Sequence, residues 1–182
     1  MSISTDIHIR LSELKDIPAL TKVEKSAAKK FLDIPELAWL ANDDVMTHEM
    51  HQKAILEKTS WTAQDEQSLE IVGFLSGQEI ASEFHLQEVS VCAEYQGRSI
   101  GKALVETALQ HATLKGLISA TLTTFVEVPW NAPFYKKLGF EIIEYNVLSV
   151  RLSNLLLAEN SHGLAGEKRC AMRKCLASTP GD

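Results

Sequence analysis

The sequence is short of cysteine, of basic charge and of long apolar runs, and each shortage argues against a class of protein. Its three cysteines, Cys92, Cys170 and Cys175, are odd in number and lack paired spacing. This pattern argues against a disulfide framework or a zinc site and predicts reduced thiols in the core. The net charge of −6 argues against nucleic-acid binding through general basicity. No apolar run approaches the length of a membrane span, so we expect no membrane partner.

What remains is the composition of a globular protein. The 182 residues are 45% hydrophobic and 23% charged, which is enough to form a core without disulfides or metals. We therefore expect a single domain over residues 1–182, with its core at about 7–176 and frayed ends. The first residues have neither the basic nor the apolar region of a signal peptide, so we expect a cytoplasmic protein.

Apolar periodicity predicts a first half made of strands with hairpin spacing and two helices. The strands are predicted over residues 7–11, 61–63, 69–76 (ending at Gly77) and 84–92, and the helices over residues 17–31 and 44–58. Residues 34–40 are predicted to be a loop or a short helix. His48 and His51 have no third ligand nearby, so a solvated helix face explains them better than a metal site. We expect this half of the sheet to be antiparallel.

The second half alternates helices and strands. Helices are predicted over residues 99–114, 130–138 and 152–159, and strands over residues 118–125, 140–145 and 169–176. The helix over 99–114 has the length of a crossover connection, and Gly116 follows it as a typical C-terminal glycine. The strand over 118–125 should therefore lie parallel to the strand over 84–92.

A glycine-bearing turn at residues 96–102 follows the strand 84–92 and opens the helix 99–114. The N–H groups at a helix start have no intrahelical partner, and the helix dipole places partial positive charge there. Arg98 and Lys102 add two cations, so the turn has what a pyrophosphate site needs. Most glycine turns before helices bind nothing, so this segment alone leaves a purely structural turn equally open.

A second motif lies downstream at residues 129–140. Together with the turn it resembles the GNAT superfamily of N-acetyltransferases, which use acetyl-coenzyme A. That family carries Gln/Arg-x-x-Gly-x-Gly/Ala at the turn that binds the pyrophosphate, followed by an Asn, an aromatic-Tyr pair and a Gly-Phe pair. The positions that match are Gln96, Gly101, Asn131, Phe134, Tyr135, Gly139 and Phe140. The chain departs from the family at Ser99, where the family usually has Gly and a Cβ could crowd the phosphates.

The resemblance implies an α/β fold with a mixed, splayed sheet, largely antiparallel with a parallel central pair, and helices on both faces. It implies that acetyl-coenzyme A is bound without a metal, with its pantetheine arm along the backbone of Val89 and Val91. The other implied cofactor-binding positions lie in the turn, the helix start and the downstream motif: Gln96, Gly97, Arg98, Ser99, Ile100, Gly101, Lys102, Ala103, Asn131, Phe134 and Tyr135.

The reaction that the resemblance implies is direct attack of a primary amine on the thioester. Tyr135 would protonate the leaving thiolate, and the alternative is an amphipathic ring that only packs beside its neighbours. A base must also take a proton from an amine that is mostly protonated at neutral pH. Glu88 is the first candidate, then His85 and then Glu83; for each, the alternative is a solvated or salt-bridged strand residue. The apolar neighbours of Glu88 predict a raised pKa for its carboxyl.

We therefore expect an N-acetyltransferase that moves an acetyl group from acetyl-coenzyme A to a primary amine of a small molecule or a peptide. The alternative from another class is a coenzyme A-binding regulatory or interaction module without turnover. Dimers are common in the family, which leaves a homodimer open. The identity of the acceptor is also open, because fold does not determine substrate.

Overall fold

The structure, a computed structural model, describes residues 6–163 and 168–176. The chain divides into two compact units. Unit 1 is residues 1–78 with 86–110, and unit 2 is residues 79–85 with 111–182. The ends that we predicted to be frayed lie outside the described residues, and the single domain stays a prediction.

The described residues form seven strands and five α-helices. The strands are β1 (Ile7–Leu11), β2 (Ser60–Asp65), β3 (Ile71–Ile80), β4 (Glu83–Val91), β5 (Ser119–Phe125), β6 (Glu141–Ile142) and β7 (Arg169–Cys175). The helices are α1 (Ile17–Ala28), α2 (His48–Leu56), α3 (Ile100–Leu114), α4 (Ala132–Lys137) and α5 (Val150–Ser161). None of the helices in these ranges is both long and apolar enough to cross a membrane.

The strands are hydrogen-bonded in the order β1-β2-β3-β4-β5-β7-β6. The β4–β5 pair is parallel, whereas β1–β2, β2–β3, β5–β7 and β6–β7 are antiparallel. This mixed sheet with one parallel pair at its centre confirms the predicted fold class. The predicted parallel pair is confirmed, and so is the antiparallel arrangement of β1, β2 and β3.

Unit 1 contains an antiparallel β1–β2–β3 arrangement against which α1 packs. Leu20 and Val23, on one face of α1, are buried against Met46 and Phe74. The apolar spacing of α1 thus places one helical face on the sheet and leaves its polar residues around that contact. α2 begins after Thr47, whose hydroxyl accepts a hydrogen bond from the N–H of Met50 (3.2 Å).

Unit 2 contains the start of β4 together with β5, β6 and β7. β4 pairs with β5 in parallel from Glu83 to His85, opposite Ser119 to Thr121. α5 begins after Ser149, whose hydroxyl accepts a hydrogen bond from the N–H of Leu152 (3.3 Å). α5 then contacts both β5 and β7, so the first turn of α5 lies within reach of polar side chains on the sheet.

A close approach between β3 and α3 determines where α3 begins. A Cβ added to Gly73 would lie 3.2 Å from Cγ2 of Ile100 and 3.3 Å from the backbone oxygen of Ser90. Ile100 is the first residue of α3 and is buried. A glycine at position 73 therefore lets the start of α3 lie directly on the strand.

Three predicted element boundaries were wrong. The helix predicted over 44–58 is shorter, because Thr47 rather than the two preceding aspartates caps it. β3 does not end at Gly77, since the N–H of Gly77 bonds to the oxygen of Thr59 (2.9 Å) and the strand continues. The first helix ends at Ala28 and tightens into a 3₁₀ turn, Lys29–Asp33, before Pro35.

The strand predicted over 140–145 was also too long. β6 is only Glu141–Ile142, and a 3₁₀ turn, Tyr145–Val147, follows it. Tyr145 is 83% exposed. Because its ring is exposed to solvent, Tyr145 does not supply the buried side chain that would extend the strand.

Two predicted environments also need correction. His51 was expected on a solvated helix face, but it is fully buried, with its ring against that of Phe74 at 5.4 Å between centroids. The cysteines were expected to be core thiols, and Cys170 is indeed buried and Cys92 half-buried, but Cys175 is exposed. Cys175 is the last residue of β7, where the strand leaves the core.

Candidate active site

The turn between β4 and α3 contains two left-handed residues directly before the helix start. A 3₁₀ turn, Ala93–Tyr95, follows β4, and the oxygen of Ser99 accepts the first helical hydrogen bond, from the N–H of Ala103 (3.1 Å). Gly97 and Ser99 are both left-handed, with φ of +78° and +61°. Left-handed residues among right-handed ones direct successive N–H groups towards one side, an arrangement that binds anions. The N–H groups of the first turn of α3, which have no intrahelical partner, follow directly after Ser99 in the chain.

The φ of Ser99 gives a physical reason for the glycine that the resemblance leads one to expect there. A side chain in the left-handed region costs about 1 kcal/mol relative to glycine. Ser99 is exposed, so burial of its side chain does not offset that cost. The departure from the family pattern therefore lies at a backbone position that favours glycine.

Both cations of the turn are held by local contacts. The Arg98 guanidinium lies over the ring of Tyr95, 4.7 Å from its centroid, and Nη2 donates to the oxygen of Glu94 (3.1 Å). The Tyr95 hydroxyl in turn donates to Oδ2 of Asp65 on β2 (3.1 Å). Lys102 is exposed on α3, with Glu106 one turn away (Nζ to Oε1, 3.7 Å). The Asp65–Tyr95 contact thus positions Arg98 beside the turn.

Gln96 connects the turn to the end of β4. Its Nε2 donates to the backbone oxygen of Val91 (3.1 Å). Val89 and Val91 are half-buried, and alternation along the strand places them on the face opposite Glu88 and Ser90. The side chain of Gln96 therefore braces the strand end, and its direct contact with a cofactor stays a prediction.

Glu88 is held in a fixed position on β4. The Ser90 hydroxyl donates to Oε1 of Glu88 (2.6 Å), and the Glu88 side chain is half-buried. The two residues are two positions apart and so share one face of the strand. Glu88 therefore has an oriented carboxyl group in unit 1, the unit that also contains the turn.

Glu24 on α1 is a second carboxyl group with an altered pKa in unit 1. Both oxygens of Glu24 accept hydrogen bonds from the backbone N–H of Met46 (3.2 and 3.1 Å). Burial and the neighbouring negative charge of Glu88 raise the pKa of Glu24 to about 8, against the opposing effect of the Met46 N–H. The raised pKa favours the protonated form of the Glu24 carboxyl near neutral pH.

Glu83, at the other end of β4, is compensated by cations. It accepts hydrogen bonds from Arg151 (2.7 Å), Arg173 (3.1 Å) and Ser119 (3.2 Å). Burial alone would raise the pKa of Glu83, but the bonds from Arg151 and Ser119 and the charges of the two arginines lower it. Glu83 is therefore a stable anion in a polar network of unit 2.

His85 belongs to the same network. Its Nδ1 lies 3.0 Å from the hydroxyl of Thr121, which also accepts from Nη2 of Arg151 (3.0 Å). Burial and the charge of Arg151 lower the pKa of His85 to about 4, against the effect of Glu83. His85 is therefore neutral at physiological pH.

The downstream motif forms a compact aromatic group on α4. The ring of Tyr135 lies 5.0 Å from that of Phe134 and 5.7 Å from that of Phe140, both edge-on. Asn131 precedes α4, and its Oδ1 accepts from the hydroxyl of Thr124 on β5 (2.6 Å). The motif therefore orients Tyr135 on unit 2, but its contact with a thiolate stays a prediction.

Sequence patterns did not reveal several residues that shape these environments. Glu24 occupies an ordinary polar position of an amphipathic helix, and Thr121 and Arg151 belong to a strand and a helix with no motif. Each acts on a residue far away in sequence. Within residues 6–163 and 168–176, no three His, Cys, Asp or Glu side chains are grouped so as to hold a metal ion.

Comparison with known families identifies the segment that includes the turn. Residues 57–142 match the family model described as the acetyltransferase (GNAT) domain. The match spans β2 to β6, and so includes the turn at residues 96–102, Glu88 and the downstream motif. The predicted resemblance is confirmed.

Comparison with solved structures extends the similarity over nearly the whole chain. The PaiA N-acetyltransferase of Thermoplasma acidophilum, solved with coenzyme A, matches with a TM-score of 0.67, 18% identity, and coverage of 93% of this chain and 99% of that one. The ribosomal-protein-S18-alanine N-acetyltransferase of Escherichia coli matches with a TM-score of 0.67 and 16% identity over 97% of both chains. A GNAT-family acetyltransferase of Staphylococcus aureus matches with a TM-score of 0.69 and 16% identity, over 94% of this chain and 100% of that one. At these identities the likeness shows the fold.

Proposed function

We propose that this chain, whose residues 57–142 match the acetyltransferase (GNAT) domain model, transfers an acetyl group from acetyl-coenzyme A to a primary amine by direct attack. The observation that carries the proposal is the strand–turn–helix at β4 and α3. Its left-handed Gly97 and Ser99, together with the free N–H groups at the start of α3, suit a pyrophosphate. Two neighbours of the same fold are named as N-acetyltransferases, and one of them was solved with coenzyme A.

In this proposal the pyrophosphate binds to the N–H groups from Gly97 to Ala103, with Arg98 and Lys102 as counter-charges. The pantetheine arm lies along the backbone of Val89 and Val91, where Gln96 braces the strand end. A thioester placed there would have its carbonyl oxygen polarised by a backbone N–H group. Each of these turn and strand residues belongs to unit 1.

We propose Glu88 as the base. Its carboxyl group is oriented by Ser90 and lies on the strand that the thioester would follow. The other two candidates are poorer bases in their surroundings. Glu83 is neutralised by two arginines, and His85 has a low pKa, with Nδ1 occupied by Thr121. A base must bind a proton near the working pH, which neither of these environments favours.

We propose Tyr135 as the acid that protonates the departing thiolate. The amine nitrogen forms a bond to the acetyl carbon, the carbon–sulfur bond breaks, and the sulfur takes the phenolic proton. The phenolate then recovers a proton from solvent, and the nitrogen loses its second proton as the amide forms. The aromatic contacts of Tyr135 with Phe134 and Phe140 fix the orientation of its ring, which a positioned acid requires.

The acceptor class is a primary amine of a small molecule or of a peptide. The Escherichia coli neighbour is named for an alanine of a ribosomal protein, so the fold accommodates a peptide amine. The negative net charge of this chain suits a cationic acceptor.

The test is release of coenzyme A thiol from acetyl-coenzyme A in the presence of a panel of alkylamines, amino acids and peptides. For an acceptor that reacts, we expect Glu88→Gln to lower kcat by about 100-fold or more, because general-base catalysis contributes at least that much. Binding of coenzyme A, measured by calorimetry, should stay unchanged. The matched control is Glu57→Gln, a change of the same chemistry at an exposed residue after α2.

Two results would contradict the proposal. An unchanged kcat in Glu88→Gln would remove Glu88 as the base. Coenzyme A binding without thiol release for every amine in the panel would instead favour the non-catalytic module.

A further inference from the structure

Three buried polar side chains of unit 1 have hydrogen-bonding groups that no other residue satisfies. Within the part of the chain that the structure describes, neither ring nitrogen of His51 has a hydrogen-bond partner, and the hydroxyls of Thr62 and Ser76 have none either. All three residues are fully buried. Buried polar groups in proteins are nearly always paired, because an unpaired group loses its bonds to water without replacement. Three such groups in one unit therefore indicate a ligand.

The pairing of β2 with β3 places the two hydroxyls on the same face of the sheet. Thr62 lies opposite Phe74, and Ser60 lies opposite Ser76. Alternation puts Phe74 and Ser76 on one face, so Thr62 and Ser76 are diagonal neighbours there, about 7–8 Å apart. Ser60 is already paired, since its hydroxyl lies 2.9 Å from that of Ser12. The two unpaired hydroxyls are thus close enough for one small molecule to bridge them.

α2 places the His51 ring over the same face. The residue before β2, Thr59, donates from its N–H (2.8 Å) and its hydroxyl (3.2 Å) to the backbone oxygen of Ala54, which fastens the last turn of α2 to the start of β2. His51 lies three residues before Ala54, on the same side of the helix. Its ring is edge-on to that of Phe74, with 5.4 Å between centroids. His51 therefore lies over Phe74, the residue beside both unpaired hydroxyls.

The chemistry of the three side chains defines the ligand. Burial, together with the charge of His48, lowers the pKa of the His51 imidazole, so the ring is neutral at physiological pH. A neutral imidazole has one N–H donor and one lone pair, and each hydroxyl can donate or accept. A single imidazole with two hydroxyls is not the ligand set of a structural metal, and it supplies no charge for an anion. The set suits a neutral molecule that both donates and accepts.

We propose that His51, Thr62 and Ser76 bind one water molecule enclosed between α2 and the β2–β3 pair. Three hydrogen bonds are the usual number for a buried water. Because all three residues are fully buried, the ligand must be small enough to be enclosed with them. The water joins α2 to the sheet by polar bonds at a point where the neighbouring contact, His51 on Phe74, is between rings.

The first test uses substitutions that remove a hydroxyl and keep the shape of the side chain. In Thr62→Val the unfolding equilibrium constant from urea denaturation should rise about 5-fold, because the water loses a partner. Ser76→Ala should shift it in the same direction. The matched control is Ser82→Ala, at an exposed serine between β3 and β4, and it should leave the constant unchanged.

The sign of the Thr62→Val effect decides between a bound water and an orphaned hydroxyl. Replacement of a buried hydroxyl that has no partner by a methyl group stabilises a protein, since valine has no polar group to remove from water. An unfolding constant that stays the same or falls in Thr62→Val would therefore overturn the inference.

The second test observes the water directly. In a crystal structure of the full chain, one density peak should lie within about 2.7–3.2 Å of a His51 ring nitrogen and of both hydroxyls. In solution, NMR cross-relaxation between water and the His51 ring protons should be present in the wild type and lost in the double variant Thr62→Val/Ser76→Ala. A direct bond from the His51 ring to either hydroxyl, or cross-relaxation that persists in the double variant, would overturn the inference.

The water site goes beyond the proposed acetyl transfer and is independent of it. Neither the stability measurement nor the search for the water needs an acceptor or coenzyme A. Absence of thiol release for every amine would overturn the proposed function and leave the water site standing. A stabilised Thr62→Val variant with thiol release intact would do the reverse.

Discussion

Glu83 at the start of β4 and Glu88 near its end lie on the same strand in opposite electrostatic surroundings. Glu83 belongs to unit 2 and binds two arginines, which lower its pKa despite burial. Glu88 belongs to unit 1, where burial and the charge of Glu88 raise the pKa of Glu24 to about 8. The difference shows how one residue type serves two purposes. Cations keep a buried carboxyl group ionised, whereas burial and a neighbouring negative charge favour its protonated form.

The backbone of unit 1 also contains an unfavourable local arrangement. The exposed turn contains Ser99 in a conformation that favours glycine. Unfavourable local arrangements persist only where the surrounding structure imposes them, and they cluster at functional sites. In unit 1 both Glu88 and the strained turn belong to the proposed site. In unit 2 the polar network of Glu83 and His85 is matched by partners, as expected of a structural network.

The largest expected effect on stability is that of Glu24→Gln. The folded-state pKa of Glu24 is raised from 4.5 to about 8. Its contribution to stability is therefore fully present below about pH 4.5 and is lost as the pH rises through 8. From pH 5 to pH 9 the wild type should lose on the order of 3 kcal/mol relative to the variant. Urea unfolding of both proteins at the two pH values measures the difference, and parallel pH dependences would contradict the raised pKa.

The same substitution in unit 2 should have the opposite sign. Glu83→Gln leaves Arg151 and Arg173 without their carboxylate, so we expect a loss of about 2 kcal/mol of unfolding free energy at pH 7. The kcat of thiol release should change by less than about 3-fold, because Glu83 is not the proposed base. A loss of kcat comparable to that of Glu88→Gln, with stability unchanged, would reverse the comparison between the two carboxylates.

The smallest expected effect is that of Ser99→Gly in the turn. Removal of the Cβ at a φ of +61° should raise the unfolding free energy by about 0.5–1 kcal/mol. The affinity for coenzyme A should stay equal or increase, since no side chain then stands beside the phosphates. Chemical denaturation and calorimetric titration measure the two quantities. A destabilised variant would mean that the serine hydroxyl makes a favourable contact that outweighs the strain.

Much of the fold could be predicted because its signals are local. Alternation in residues 7–11 and the helical spacing in 17–31, of which α1 uses 17–28, each describe a short segment with one buried face. The crossover length of α3 was enough to predict the parallel β4–β5 pair. The predicted boundaries were wrong where a single hydrogen bond determines where an element begins or ends. Thr47 caps α2, and the N–H of Gly77 bonds to the oxygen of Thr59.

The site was predictable only in part. The turn and the downstream motif stand out because their residue types and spacing are unusual. The choice among Glu88, His85 and Glu83 could not be made from the strand alone, since each is simply a polar residue in it. The surroundings that separate them come from α1, β5, β7 and α5, which contribute Glu24, Thr121, Arg173 and Arg151.

The sequence by itself determined the order of strand, glycine turn and helix, and with it a helix start suited to an anion. That conclusion needs only local backbone geometry and the helix dipole. Only the tertiary structure decided which carboxylate is matched by arginines and which raises the pKa of a second carboxyl group. Charge interactions depend on distance and burial, and residues such as Glu24 and Glu88 come close only when the helix packs on the sheet.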